Sequence, residues 1–295
     1  ENELSYYAIE EGQVSVTRNA IAVHTVYEVH GTLSMKTGNI DFVGSVIIHG
    51  DVPTGYEVKA EGDIKIFGIV EGATIIAKGS VFVSEGLSGL KKGIIEAGES
   101  VHIGYINQGT VKAGESIYVH QSIIHSQCTA RKELFCQNGN IIGGTISLGQ
   151  RVDAKDIGNR LSTKTVISLG QDREVAVAEA ELLKEKESLL KTLSQLEIIG
   201  KKLEAEKDKD PKMRIMLLRQ RNSKQKVLEK IAKIDQDIKN MHAELGDEEE
   251  AELIVRNALY PNTMIEFGKY KHNVQDVRRY LRVKLVQNEI TFLPL

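Results

Sequence analysis

Residues 58–83 read VKAEGDIKIFGIVEGATIIAKGSVFV, and this stretch decides the fold. Four apolar positions in it recur after seventeen residues. The two sets are Val58, Ala60, Ile64 and Ile66, followed by Ile75, Ala77, Val81 and Val83. The members of each pair are two residues apart, so both point to the same face of a short strand. Repetition at such a period predicts a stack of similar coils.

The same four positions extend outward from this stretch in both directions. They recur in seven units between Ile40 and Ala154, and the first position advances by 16 to 20 residues at each step. Seven units with four inward positions each predict a parallel β-solenoid of about seven coils. A left-handed hexapeptide helix needs coils in multiples of six residues, and these steps break that rule. We therefore predict a right-handed solenoid of roughly triangular section.

The second position of each coil indicates how the core is shaped. Five consecutive units place alanine there, whereas the two flanking units carry Phe42 and Leu148. The alanines are Ala60, Ala77, Ala97, Ala113 and Ala130. Small side chains let the walls of a narrow coil approach closely. Glycines such as Gly98 and Gly114 follow this position, and we expect them to turn a corner with a positive φ.

After Gly170 the spacing of the apolar residues becomes helical. Leucines recur every seven residues from Leu182 to Leu203, and a second helix after KDKDP at 207–211 carries apolar residues alternately four and three apart from Val227 to Leu245. That alternation is typical of a coiled-coil seam. The first helix is acidic overall and the second basic, which favours their pairing. The spacing predicts a long antiparallel coiled-coil hairpin inserted at 171–246.

Strand-like sequence flanks both parts of the chain. It includes QVSV at 13–16 and AIAVHTVYEV at 20–29 before the solenoid, and ELIVRNALY at 252–260 and LRVKLVQNEITFL at 281–293 after the helices. We predict a mainly β protein in four parts. These are an N-terminal β cap at 1–36, the solenoid at 37–170, the helical hairpin at 171–246, and a C-terminal β segment at 247–295 that returns to the solenoid.

Composition excludes several classes of protein. The 38 Lys and Arg residues nearly balance the 41 Asp and Glu residues, which argues against a globally basic nucleic-acid binder. Two cysteines are too few for a disulfide framework and are typical of a reducing compartment. The chain has no apolar run of the roughly 18 residues that suggest a transmembrane helix. We expect a cytoplasmic location.

The sequence resembles a known family, the flagellar assembly protein A family. The resemblance lies in TGNIDF at 37–42, GSVIIHGDV at 44–52, VKAEGDIKIFGIVEGATIIAKGS at 58–80, IIGG at 141–144 and YPNTMIEFG at 260–268. The family is similar, more distantly, to the polymer-forming bactofilins. The resemblance implies a cytoplasmic bacterial scaffold with a β-solenoid core, linked to flagellar assembly or polar organisation. It implies no catalytic residues.

No residue pattern predicts chemistry. Cys128 and Cys136 stand at inward positions, so we interpret them as packing residues. His49 and His120 lie four coils apart, about 19 Å by strand spacing, which is too far to share a metal. Asp41, Asp51 and Asp63 resemble the carboxylates of a β-helix glycosidase, but aspartate is also common at turns. We predict no catalytic residue, no cofactor and no metal site.

Two surfaces are candidates for binding a partner. The first is helical: an apolar edge at Leu183, Leu190 and Leu193, and a basic segment. The basic residues are Lys212, Arg214, Arg219, Arg221, Lys224 and Lys226. They suit RNA, anionic lipid or an acidic protein, or they simply face the acidic first helix. The second is an outward stripe of one ring per coil, at Phe82, His102, Tyr118 and Phe135. Either terminal strands of this chain or a partner cover it.

We therefore predict a non-enzymatic scaffold that binds proteins through the hairpin or the solenoid face. The bound protein can be a second copy of the chain, which gives a homo-oligomer. We predict no small-molecule substrate. Two alternatives come from other classes. One is a β-helix enzyme, an acyltransferase or a polysaccharide-acting enzyme, which needs an outward cluster of histidines or carboxylates in a groove. The other is a nucleic-acid-binding protein that uses the basic second helix.

Overall fold

The structure is a computed structural model that describes residue 9 and residues 12–18, 20–170, 173–205, 211–244 and 250–295. Within the helices it describes the side chains of 182–198, 200, 216, 218 and 220–236. The chain divides into two compact units. The first contains Glu1–Asp172 and Gly246–Leu295, and the second contains Arg173–Leu245.

Twenty-three strands and two helices follow one another along the described residues. The strands before the helices are β1 Gln13–Val16, β2 Ile21–His24, β3 Val26–Val29, β4 Ile40–Phe42, β5 Ser45–Ile48, β6 Glu57–Ala60, β7 Ile64–Ile66, β8 Ile69–Glu71, β9 Thr74–Ala77, β10 Val81–Ser88, β11 Ile94–Ala97, β12 Val101–Asn107, β13 Thr110–Ala113, β14 Ile117–Val119, β15 Ile123–Ala130, β16 Glu133–Leu148, β17 Arg151–Ile157 and β18 Thr165–Leu169. The helices are α1 Arg173–Ala205 and α2 Pro211–Glu244. The remaining strands are β19 Glu252–Leu259, β20 Thr263–Phe267, β21 Tyr270–Asn273, β22 Arg278–Val286 and β23 Glu289–Pro294.

The first unit is a β-solenoid, and the four inward columns predicted from the sequence are confirmed. Strands of successive coils pair in parallel, with Val58 opposite Ile75 on one side and Ile64 opposite Val81 on another. All four side chains are fully buried. The apolar residues of each coil are thus covered by the preceding and following coils. A single coil buries little surface by itself, so its stability depends on contact with its neighbours.

A third side closes each coil, and the sequence analysis did not identify its column. One fully buried residue per coil forms it. These residues are Val52, Val70, Leu87, Ile106, Ile123, Ile141, Ile157 and Leu259. The register between neighbouring coils shifts just before this column, as between Cys136 and Asn140. Its distance from the fourth column therefore varies, and no fixed spacing reveals it.

The solenoid has about eight turns, more than the seven predicted. The first column continues past Ile146 to Ile167 on β18 and then to Ile265 on β20. Similarly, β19 pairs in parallel with β17. The stack therefore resumes after the helices, and the long intervening sequence hides the final coil from a search for a constant period.

Antiparallel strands follow at this end of the stack. β22 pairs with β19, β23 pairs with β22, and β21 pairs with β20. Near the amino end, β1 and β2 form their own two-stranded sheet, whereas β3 already pairs in parallel with β5. The parallel stack therefore begins no later than Val26.

The glycines after the alanine column have a different role from the one predicted. Neither Gly98 nor Gly114 is among the residues with a positive φ. Instead, a Cβ on Gly98 meets the carbonyl oxygen of Lys78 at 2.0 Å, and a Cβ on Gly114 meets that of Gly98 at 1.9 Å. Successive coils approach too closely at this corner for any side chain, so close contact between backbones explains these glycines.

Ion pairs and hydrogen bonds connect the two helices of the second unit. Lys186 Nζ lies 2.5 Å from Asp235 Oδ1, and Lys224 Nζ lies 2.9 Å from Glu197 Oε1. The side-chain amide of Gln220 donates a hydrogen bond to the carbonyl oxygen of Leu196 at 2.6 Å. No helix of the described residues is long and apolar enough to cross a membrane.

Candidate functional sites

The predicted stripe of rings forms a continuous stack on the outer face of the solenoid. Parallel pairing places Phe82, His102, Tyr118 and Phe135 opposite one another on successive coils. Their ring centroids are separated by 4.8, 4.5 and 5.3 Å, with interplanar angles of 9, 7 and 11°. We call these four residues the ring ladder. All four are partly exposed, so the ladder is accessible in the described part of the chain.

Charged groups stand at both ends of the ring ladder. Lys65 Nζ lies 5.5 Å from the centroid of the Phe82 ring, within the range of a cation–π contact. At the other end Phe135 is opposite Asp153, a buried carboxylate. Arg256 donates two hydrogen bonds to Asp153, at 2.6 and 2.7 Å. A bidentate pair of this kind compensates for the burial of the carboxylate.

The ladder changes the acidity of its only histidine. Partial burial lowers the pKa of His102 below its ordinary value, and the nearby His120 lowers it further. Burial acts in this direction because it disfavours the charged imidazolium. His102 is therefore biased towards the neutral ring.

Two of the three aspartates that suggest a glycosidase instead hold coils together. Asp51 Oδ1 accepts a hydrogen bond from the backbone N–H of Ile69 at 2.8 Å. Asp63 Oδ1 accepts one from the N–H of Ser80, also at 2.8 Å. Each carboxylate thus satisfies a donor on the next coil, which is a structural role at a turn.

Both cysteines are fully buried, as the sequence predicts. Burial raises the pKa of the Cys128 thiol, and the neighbouring Cys136 adds to this effect. Burial also raises the pKa of Cys136 to about 12. Neither thiol ionises near neutral pH, so neither has the character of a nucleophile or a ready metal ligand.

The predicted apolar edge of the first helix divides into exposed and half-buried residues. Leu183 and Leu190 are 48% and 46% exposed, whereas Leu193 is half-buried. In the basic segment, Lys224 forms the ion pair with Glu197 of α1. Arg221 and Lys226 have exposed side chains. The side chains of Lys212, Arg214 and Arg219 lie outside the described set.

One cluster of possible metal ligands was missed by the sequence analysis. Glu28, His30 and His49 each offer one ligand atom, and these atoms all lie within 4.8 Å of one another. His49 Nε2 is 2.5 Å from Glu28 Oε1. The prediction of a separate cap at 1–36 hid His30, although the step of nineteen positions from His30 to His49 falls within the 16 to 20 residues of the repeat.

The fold and its outer face define the class of this protein. It is a β-solenoid repeat protein whose exposed features are stacked side chains, one from each coil. In a comparison with protein families, residues 25–290 match the flagellar assembly protein A beta solenoid domain. The chain belongs to that family. No curated protein and no solved structure matched the chain in the corresponding searches.

Proposed function

We propose that this protein is a non-enzymatic cytoplasmic scaffold in flagellar assembly, which binds a protein partner through its helical unit. The family supports the link with flagella, because its description names flagellar assembly. The two buried free thiols are compatible with a reducing compartment. The solenoid is the platform in this proposal. Its coils wind to the right, since their lengths do not follow multiples of six residues.

We infer that α1 and α2 form an antiparallel coiled-coil hairpin. The less exposed residues of each helix alternate at spacings of four and three. On α1 they are Leu182, Lys186, Leu189, Leu193, Leu196 and Gly200, and on α2 they are Gln220, Lys224, Val227, Ile231 and Ile234. This spacing is that of a seam between two helices. Lys186 pairs with Asp235, whereas Glu197, which lies later on α1, pairs with Lys224, which lies earlier on α2. This reversed order is that of two antiparallel helices.

The observation that carries the proposal is the exposure of leucines beside this seam. Residues seven apart share a helical face in a coiled coil. Leu190 therefore lies on the same face of α1 as Glu197, and Leu228 on the same face of α2 as Asp235. Both acidic residues form ion pairs between the helices. Leu183 continues the same row on α1. Leu183, Leu190 and Leu228 are 48%, 46% and 41% exposed. One side of the hairpin therefore presents an apolar row that suits a partner helix.

The experiment compares two double variants of the full chain. Leu183→Glu with Leu190→Glu places charge on the apolar row, whereas Ser188→Glu with Gln195→Glu adds the same charge at exposed positions that are also seven residues apart. Affinity purification from the native cell, followed by mass spectrometry, identifies the bound proteins. We expect flagellar assembly components with the parent and the control, and their loss with the leucine variant. Light scattering reports self-association in the same samples.

Leu193 is not a suitable target for this test, because a glutamate there disrupts the seam itself. The competing interface is the ring ladder. If capture survives the two leucine changes but is lost when Phe82, Tyr118 and Phe135 are changed to serine, the solenoid face binds the partner. The proposal that the helical unit does so is then wrong.

A further inference from the structure

The cluster of Glu28, His30 and His49 is fixed by the pairing of two neighbouring coils. Val29 on β3 pairs with Ile48 on β5, so the residues that follow them, His30 and His49, are neighbours. The N–H of His49 donates to the carbonyl oxygen of Val29 at 2.9 Å. Glu28 and His30 are two residues apart and therefore share the outer face of this side of the solenoid. All three side chains are exposed.

Aromatic stacking orders the two imidazoles. The His30 and His49 rings stack with their centroids 5.5 Å apart, and the opposite neighbour of His49 is Phe67, whose ring is 5.2 Å away and nearly parallel. Phe67 comes from the next coil, since its N–H donates to the carbonyl oxygen of Ile48. His49 is thus held between rings from the coils before and after it. These contacts favour one orientation of the His49 ring on the outer face, beside His30.

The chemistry of the three groups matches one class of cation. Two imidazole nitrogens and one carboxylate oxygen form a common ligand set for zinc, with three protein ligands and one position left for water. At metal–ligand distances of about 2.0–2.1 Å, neighbouring ligands of a tetrahedral zinc are separated by ~3.3 Å. The three atoms here lie within 4.8 Å of one another, close to that separation.

We propose that Glu28, His30 and His49 bind a divalent transition-metal cation of the zinc class on the outer face of the first coils. His49 contributes its Nε2 atom, which contacts Glu28 Oε1 at 2.5 Å. In the proposed site this direct contact is replaced by two bonds to the cation, one from the imidazole nitrogen and one from the carboxylate oxygen. This site departs from the prediction that the chain has no metal site, and it is independent of the proposed role of the helical unit.

Calorimetric titration of the full, chelator-treated chain with Zn²⁺ tests the proposal. We expect one Zn²⁺ per chain in the parent. His30→Ala, His49→Ala and Glu28→Gln each remove one ligand, and each is expected to weaken binding by at least the roughly 10–100-fold that loss of a supporting group costs. The control is His120→Ala, an exposed histidine at the corresponding place in a later coil, which belongs to no such group of ligands in the described residues.

Two further readouts separate metal binding from a merely structural role. Co²⁺ in place of Zn²⁺ gives visible absorption bands, and their intensity indicates a low coordination number of the metal. We expect the three variants to lose these bands. Zn²⁺ also raises the melting temperature of the parent, because it binds the folded state, and at the same Zn²⁺ concentration it raises that of the variants less. The proposal is overturned if the parent binds no Zn²⁺, or if His30→Ala or His49→Ala binds it as tightly as the parent.

Discussion

Replacing Ala97 by leucine tests the packing of the solenoid. Ala97 lies inside the coil, is 8% exposed, and pairs with Ala77 on one neighbouring coil and Ala113 on the other. Neighbouring strands are only about 4.8 Å apart. The three additional carbon atoms must therefore enter a space that the column of small side chains keeps narrow. Overpacking of a filled core costs about 1–3 kcal/mol.

The control is Lys112→Leu, in the strand next to Ala97. Lys112 points outward, and its Nζ atom lies 3.4 Å from Glu96 Oε1, with both side chains about two-fifths exposed. An exposed pair of this kind contributes roughly 0–1 kcal/mol. The same leucine is thus introduced in the same region, once inward and once outward.

Denaturant unfolding measures the difference. We expect Ala97→Leu to lower the midpoint without changing the slope, which indicates a loss of stability rather than a change in the surface exposed on unfolding. At about 2–4 °C per kcal/mol for a unit of this size, the melting temperature falls by roughly 2–12 °C. Equal losses at Ala97 and Lys112 refute the assignment of inward and outward positions.

Three other predictions concern the two buried thiols, the pKa of His102 and the independence of the solenoid from the helices. The folded chain should react with no thiol reagent at Cys128 or Cys136, and the denatured chain should react at both; rapid labelling of the folded chain contradicts the burial of these thiols. Because the folded pKa of His102 is lowered, its contribution to stability is full above the unfolded pKa of about 6.5 and is lost as the pH falls through the folded pKa. His102→Phe should reduce this acid-side loss in melting curves, and an unchanged pH dependence counts against it. Replacing 171–251 by a short linker should leave the β signal and the cooperative melting of the solenoid in place; loss of both shows that the helices are part of its core.

The inward columns of the solenoid were predictable because their spacing depends on local rules. Within each strand, inward residues are two apart, and consecutive coils repeat the pattern at nearly constant length. The column from Ile40 to Ile146 is therefore visible in the sequence, as is the ring ladder, which uses the outward residue between two inward ones. Inward and outward residues alternate along each strand, so the predicted side-chain directions hold in the coils between Ile40 and Ala154.

Corners and insertions do not obey the same rules. The third buried column was missed because the register shifts before it, and the final coil was missed because α1 and α2 separate β18 from β19. The role of Gly98 was misjudged for a related reason. A positive φ can be guessed from a turn, whereas contact between Gly98 and the backbone of Lys78 depends on how closely two coils stack. The cluster of Glu28, His30 and His49 requires knowing that β3 already belongs to the stack.

The proposed metal site and the ring ladder lie along the same outward column of the solenoid. The distance between them determines whether substitutions at the two sites have independent effects. Pairing runs from Glu28 through Ile47 and Lys65 to Phe82. Three strand spacings of about 4.8 Å separate Glu28 from Phe82, or ~14 Å. Substitutions more than about 7–10 Å apart with no shared partner have additive effects on stability. A variant of Glu28 and a variant of Phe82 should therefore act independently on stability, so loss of Zn²⁺ binding and loss of a partner at the ladder can be assigned to separate sites on one face.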